Sequence, residues 1–371
     1  MWRARTLNAL PALLLAITAL CLLPGPRAAD ASFPGFNGRV AFARDTAAGS
    51  DIFTYDPNTG VETRLTDTST LNYEPAASAD GSKIAFTSER DGHRQLYLMD
   101  ADGSNQERLT NGPEDDFEPS WSPDGTHIAF RRNPGGFMEI WLLEVATKDT
   151  VKVFNVQETT GAPQISPDGQ RIAFLYDIGG NWDIYVMDLD GGHLTQLTHT
   201  ANTENDPSWS PDGSKIAFSR SVPPVCQVLT MNPDGSGEAV VSDGHCDYSP
   251  AWSPDGKKIV FGSNRDSDLG LFVMDSDGSH VERLAPGEGY GPDWAPVLAL
   301  MGDVDCDGGV DSVDSLFVLR AVAGLGGRPC LSAGDVNCDG TPNSVDALGI
   351  LRYVAALPPL PQHEPCPDIA S

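Results

Sequence analysis

Between Gly38 and Gly256 the chain repeats one short phrase six times, roughly G-x-[KRH]-[IV]-[AV]-F, usually introduced by S-P-D-G. Its glycines stand at 38, 81, 125, 169, 213 and 256, so successive copies are 43, 44, 44, 44 and 43 residues apart. A fixed period of this size with strand-forming content marks a ring of four-stranded blades, each burying its apolar face only against its neighbours. The expected fold class is all-β: a six-bladed β-propeller over residues 32–297, followed by a small C-terminal α-helical, EF-hand-like calcium-binding domain over 298–371.

One repeat shows the grammar. Phe117 to Trp121 is a short extended run, and Ser122-Pro-Asp-Gly125 is a turn in which proline presets φ and glycine accepts a positive one. His127 to Phe130, Glu139 to Leu143 and Val151 to Phe154 supply three more strands. Four of the other copies end their third strand in [DN]-x-D-G, at Asp102-Gly103, Asp190-Gly191, Asp234-Gly235 and Asp277-Gly278. These aspartates read as hairpin-turn residues rather than metal ligands. The first copy lacks a lead-in strand, and Gly291-Pro-Asp-Trp-Ala-Pro296 is a lead-in with no strands after it. The chain's C-terminal strand is therefore expected to complete the first blade and close the ring.

Arg3 and Arg5, an apolar run from Leu10 to Leu23, Pro24-Gly25-Pro26 and Ala29-Asp30-Ala31 read as a secretory signal peptide over residues 1–31. The expected location is therefore outside the cytoplasm: secreted or at the cell surface, or periplasmic. With 24 basic and 52 acidic residues the net charge is −28, which argues against nucleic acid and anionic membrane as partners. Beyond Cys21, six cysteines remain, an even number that in an exported chain favours disulfides. Fifteen pairings are possible. Spacing favours Cys226 with Cys246, and the internal symmetry of the tail favours Cys306 with Cys330 and Cys338 with Cys366.

The repeat S-P-D-G-x-x-I-A-F…[IL]-Y-x-M-D-x-D-G…L-T resembles that of TolB and its relatives, over residues 36–297. The resemblance implies a six-bladed propeller with a habit of binding proteins or peptides. The chain departs from TolB in lacking the α/β domain that precedes the propeller there, so a role in envelope translocation is not carried over. Related repeats occur in propellers that gate serine peptidases, but no G-x-S-x-G elbow is present.

After Met301 a different duplication begins, offset by 32 residues. Residues 303–314 align with residues 335–346, with oxygen-bearing side chains at loop positions 1, 3, 5, 9 and 12 and glycine at 6. A hard cation such as Ca2+ takes six to eight oxygens around such a bend. The first loop offers Asp303, Asp305, Asp307, Asp311 and Asp314 with the Gly309 carbonyl. The second offers Asp335, Asn337, Asp339, Asn343 and Asp346 with the Thr341 carbonyl, so two ions are expected. Each loop precedes one helix-like run, Val313 to Ala323 and Val345 to Ala356. Loop then helix, twice, with aspartate at position 12, resembles a type I dockerin. That resemblance implies calcium-dependent folding and docking to a cohesin module on a scaffold or cell surface. It also implies contacts from Ser312, Val313, Arg320, Ser344, Val345 and Arg352. Cys at loop position 4 and Pro342 depart from the familiar pattern, and the two helices clasping each other as a partnerless cap is the alternative.

Within the propeller, the residues preceding each lead-in proline are Glu74, Glu118, Ala162, Asp206, Ser249 and Gly291. The three acids, Glu74, Glu118 and Asp206, are expected around one channel mouth as a possible site for a cation or basic peptide; solvated turn acids are the alternative. No nucleophile is nominated. The function expected is a non-catalytic binding protein whose propeller recognises a protein, peptide or glycan. The competing readings are an extracellular hydrolase or accessory protein in polysaccharide breakdown, and an envelope scaffold.

Overall fold

The computed structural model describes residues 37–154, 159–266 and 268–296. The leader, both aspartate-rich loops, the expected partner-contact residues and Cys306, Cys330, Cys338 and Cys366 lie outside the described residues.

Each repeat forms a four-stranded antiparallel sheet, and six such sheets are described. In the specimen repeat the strands are Asp115–Trp121, His127–Asn133, Glu139–Glu144 and Thr150–Phe154, from channel to rim. Outer strands are shorter than the sequence suggests: Glu107–Arg108, Thr195–Gln196, Ala239–Val240 and Glu282–Arg283 hold two residues each. Brief rim strands limit the exposed edge available for pairing with another chain.

The S-P-D-G phrase is built from interlocking side-chain bonds. Ser122 Oγ donates to Asp124 Oδ1 at 2.6 Å and accepts the His127 N–H at 2.9 Å, while Asp124 Oδ1 accepts the Thr126 N–H at 3.0 Å. In the outer hairpins the aspartates act as turn residues too: Asp190 Oδ1 accepts the Gly192 N–H at 2.9 Å, as Asp234 and Asp277 do for Ser236 and Ser279. Gly191 is required twice over. Its φ is +88°, and a Cβ there would meet the Val153 carbonyl oxygen of the preceding blade at 2.1 Å.

Ring closure is as expected. Strand Tyr290–Pro296 pairs antiparallel with Asn37–Thr46, placing Val40 opposite Trp294, and the first blade takes its inner strand from the far end of the propeller.

The motif's phenylalanines, Phe42, Phe86, Phe130, Phe174, Phe218 and Phe261, are all fully buried. They pack between blades. Ala173 and Leu175 of one blade meet Ile216, Phe218 and Met231 of the next, and Ala129 meets Ile172, Phe174 and Met187 in the same way. Strand alternation explains why [I]-A-F recurs: isoleucine and phenylalanine share one face and alanine takes the other. The small face of each blade thus receives the large face of its successor.

Cys226 and Cys246 form a disulfide across 20 residues, tying a third strand (Val225–Met231) to the entry of the next blade. Replacing both by serine should cost about 3 kcal/mol through the freed loop, lowering the melting temperature by roughly 6–10 °C. An unchanged calorimetric melt would show that neighbouring blades already hold this link.

Candidate functional site in the central channel

The six inner strands surround an axial cavity of about 480 Å³. Each strand carries a bulge where it enters: pairing with the second strand shifts register between Tyr73 and Ala76, Phe117 and Ser120, Gly161 and Gln164, Asn205 and Ser208, and Tyr248 and Ala251. The residue before the proline takes a left-handed backbone each time. Glu74, Glu118, Ala162, Asp206 and Ser249 have φ between 44° and 55°, as does Gly291. Five non-glycine residues at equivalent positions in this sparsely populated region are held there by the surrounding fold.

The bulge connects these side chains to the next blade. Glu74 Oε2 accepts the Glu118 N–H at 2.9 Å and the Thr87 hydroxyl at 2.8 Å. Glu118 Oε2 accepts the Ala162 N–H at 2.6 Å, and Ser249 Oγ donates to Asp206 Oδ2 at 2.9 Å. The acids are therefore half-buried fasteners between neighbouring blades rather than freely solvated turn residues. Glu74, Glu118 and Asp206 do line one cavity, as the sequence suggests.

A fourth acid was missed. Asp293, two residues beyond Gly291, lines the same cavity and accepts the Ala77 N–H at 2.7 Å. Its signal in the sequence is the lead-in Gly291-Pro-Asp-Trp294, where the acid follows the proline instead of preceding it. Among the described residues no group of three or more His, Cys, Asp or Glu side chains is arranged to hold a metal.

Charge compensation is uneven. Arg131 reaches Glu118 Oε1 at 3.1 Å, whereas no described basic side chain pairs with Glu74, Asp206 or Asp293 within 4 Å. Burial, with the Glu118 charge beside it, pushes the Glu74 carboxyl up to about 7. Burial likewise raises Asp293 to about 6, against the Ala77 and Trp294 amides, and raises Asp206.

A stability prediction follows from the sign of this shift. The folded chain holds the Glu74 proton above the pH at which the unfolded chain loses it. Stability from this group is thus full below about 4.5 and declines as pH rises to about 7. Glu74→Gln keeps an acceptor for both hydrogen bonds and removes the titration. The variant should match the parent at pH 4 and exceed it by about 1–2 kcal/mol at pH 8, allowing for screening by channel water. Denaturant titrations at the two pH values would refute this if the gap failed to widen.

A family model of the TolB β-propeller domain matches residues 23–114 and 96–297. The chain belongs to the TolB β-propeller family. A model of the type I dockerin domain matches residues 301–355. Among solved structures, TolB from Acinetobacter baumannii is 25% identical with a TM-score of 0.60, the match covering 76% of this chain and 70% of that one. A putative TolB from Agrobacterium tumefaciens is 27% identical with a TM-score of 0.57, covering 70% and 92%. A chain of a nidogen/laminin complex, 11% identical with a TM-score of 0.58 and coverage of 69% and 98%, shares the fold alone. A search of curated proteins finds no match.

The dockerin match brings calcium binding with it, and the donor set agrees: the repeated Asp and Asn oxygens are hard ligands, with no sulfur required. Among the described residues of this TolB-type propeller, no helix is long and apolar enough to cross a membrane.

Proposed function

We propose that the protein is a secreted, non-catalytic binding protein. Its TolB-type propeller takes a ligand at the acidic channel, and its type I dockerin docks the chain to a cohesin on a scaffold or cell surface. The observation that carries this reading is the pairing of the two family matches in one chain, over residues 23–297 and 301–355. The channel supports a binding role. Its carboxylates are engaged in fastening blade to blade, and a ring of acceptors around a cavity of about 480 Å³ is suited to holding a guest.

In the dockerin, Asp303, Asp305, Asp307, Asp311 and Asp314 would hold one Ca2+ with the Gly309 carbonyl. Asp335, Asn337, Asp339, Asn343 and Asp346 would hold a second with the Thr341 carbonyl. Bound calcium fixes each loop and orients the helix that follows it. Ser312, Val313 and Arg320, or their counterparts Ser344, Val345 and Arg352, then form the face offered to the cohesin. The leader, residues 1–31, would deliver the chain across the membrane.

Capture of the full mature chain on immobilised cohesin modules tests the docking half. Retention in calcium, released by chelator, is the expected result. Failure of a broad cohesin panel to retain it under any condition would reduce the module to a calcium-stabilised cap.

A further inference from the structure

We propose that the channel's guest is a small organic cation, a guanidinium or primary ammonium group on a flexible chain, held among Glu74, Asp206 and Asp293. This rests on the reading of the channel as the propeller's ligand site, and it names the chemistry that site selects.

The first ground is charge. The side chains lining the cavity include four carboxylates, from Glu74, Glu118, Asp206 and Asp293, and no lysine, arginine or histidine. Arg131 answers Glu118 from behind the wall. The other three form no ion pair with a described basic side chain, and of them only Glu74 feels the Arg131 charge, at longer range, so the three carboxylates face the cavity with little compensation. Burial raises the proton affinity of all three, helped by the neighbouring Glu118 charge at Glu74 and Asp206. A bound cation would supply the missing charge where water is scarce and Coulomb attraction is stronger than in bulk.

The second ground is the inventory of donors and acceptors. An anion or a carbonyl needs N–H groups, and three of the channel's backbone amides are already used, although the Trp252 indole N–H is buried without a partner. The amides of Glu118, Ala162 and Ala77 are taken by Glu74, Glu118 and Asp293 at 2.9, 2.6 and 2.7 Å. The Ser249 hydroxyl is likewise given to Asp206. Acceptor capacity remains. Both hydrogen bonds recorded for Glu74 fall on Oε2, leaving Oε1 for a guest. A wall whose charged groups are all carboxylates, with acceptor capacity left on Glu74 and these three amides taken, suits a donor-rich, positively charged group. It disfavours neutral sugars and repels uronates.

The third ground is shape and surface. Three tyrosines on consecutive blades, Tyr248, Tyr290 and Tyr73, and four tryptophans contribute to the lining, and aromatic rings attract cations. Tyr248 is set apart from the other two. Tyr73 donates to Glu89 and Tyr290 to Asp45, whereas the Tyr248 hydroxyl is buried with no hydrogen-bond partner. Its ring lies over Gly262, where a Cβ would stand 2.5 Å from it. A cavity of about 480 Å³ admits a side chain or a short extended segment, not a folded domain.

Two sources carry such a group: a lysine or arginine within an extended peptide, and a free polyamine. Isothermal titration calorimetry of the full mature chain in calcium buffer at pH 7.5 separates them. The probes are acetyl-Gly-Arg-Gly-amide, its citrulline counterpart, putrescine and trigalacturonate. The arginine peptide should bind at least tenfold more tightly than the neutral, isosteric citrulline peptide, and trigalacturonate should give no heat of binding. Putrescine matching the peptide would identify the cation alone as the determinant. A clear preference for the peptide would identify the segment carrying it.

Glu74→Gln and Asp293→Asn should each weaken arginine-peptide binding about tenfold. A readout needing no variant is pH: affinity should rise between pH 6 and 8, with proton release on binding. Glu74 is faced by Glu118 of the next inner strand, Arg131 behind it, Tyr73 on its own strand and Tyr290 on the closing strand. Arginine and citrulline peptides binding alike would overturn the proposal, as would cations giving no heat at millimolar concentration. A neutral or anionic probe whose binding Glu74→Gln alters would overturn the cation while leaving the channel as the ligand site. Cohesin capture of the same sample reports separately on docking.

Discussion

A chain ending at Gly289 should fail to give a cooperatively folded propeller, whereas one ending at residue 300 should melt as the full-length propeller does. The difference is the strand Tyr290–Pro296, which supplies the inner edge of the first blade. Trp294 on that strand is 4% exposed, packs in the cluster holding Val40, Phe42 and Val260, and donates its indole N–H to the Gly38 carbonyl at 3.1 Å. Removing one such buried aromatic costs about 3–5 kcal/mol. The deletion also strips the partner from the strand beginning at Asn37 and removes Asp293 from the Ala77 amide. The combined loss is comparable to the whole stability of a typical domain, about 5–15 kcal/mol. Circular dichroism melts of the two chains decide the matter. Trp294→Ala in the full chain should fall between them, destabilised by about 3–5 kcal/mol. A cooperative melt from the chain ending at Gly289 would mean that the ring does not depend on this closure.

Chelation should reduce cohesin affinity at least a hundredfold while leaving the propeller's melt unchanged. The reason lies in the donor set. Loop positions 1, 3, 5 and 12 of the first loop are all aspartate, and without a cation these like charges repel within one turn of chain. On the proposed docking role, metal binding would therefore supply folding free energy to the dockerin segment. Asp303→Ala and Asp335→Ala dissect the duplication. If either copy alone can present the docking face, each single change should leave measurable binding and the pair should abolish it. Surface plasmon resonance on immobilised cohesin, with and without chelator, gives both comparisons. Binding indifferent to chelator would refute calcium-coupled docking outright.

The local chemistry of the blades could be read from single residues because it acts over a few positions. Ser122, Asp124 and Gly125 make their turn among themselves, and Asp190 caps the amide two residues on. Ring closure was legible for a related reason: a lead-in ending at Pro296 and a first repeat without one can only be parts of the same blade. The Cys226–Cys246 pair was also found as spacing suggests.

The channel was legible only in part. The position before each proline is readable in the sequence and lines one cavity in the structure, yet its left-handed backbone could not be foreseen, because glutamate and aspartate adopt it only where tertiary contacts impose it. The cross-blade partners of Glu74 and Glu118 lie 44 residues away, one full repeat along, and no short-range pattern announces such a bond. Asp293 stands in the lead-in Gly291-Pro-Asp-Trp294, but its bond to the Ala77 amide, 216 residues away, exists only in the closed ring.

The amino-acid sequence alone determined the number of blades, their turns, the alternation of large and small faces, and the oxygen-rich character of the tail. All of these arise from periodicity and from bonds that close within a few residues. Only the tertiary structure decided what the acids of the inner strands do. Closing the ring brings equivalent positions of neighbouring blades together, engages several of their amides, and leaves three carboxylates without a described ion-pair partner around a shared cavity. Burial and electrostatic compensation depend on everything that surrounds a group, and those surroundings exist only once the ring is closed.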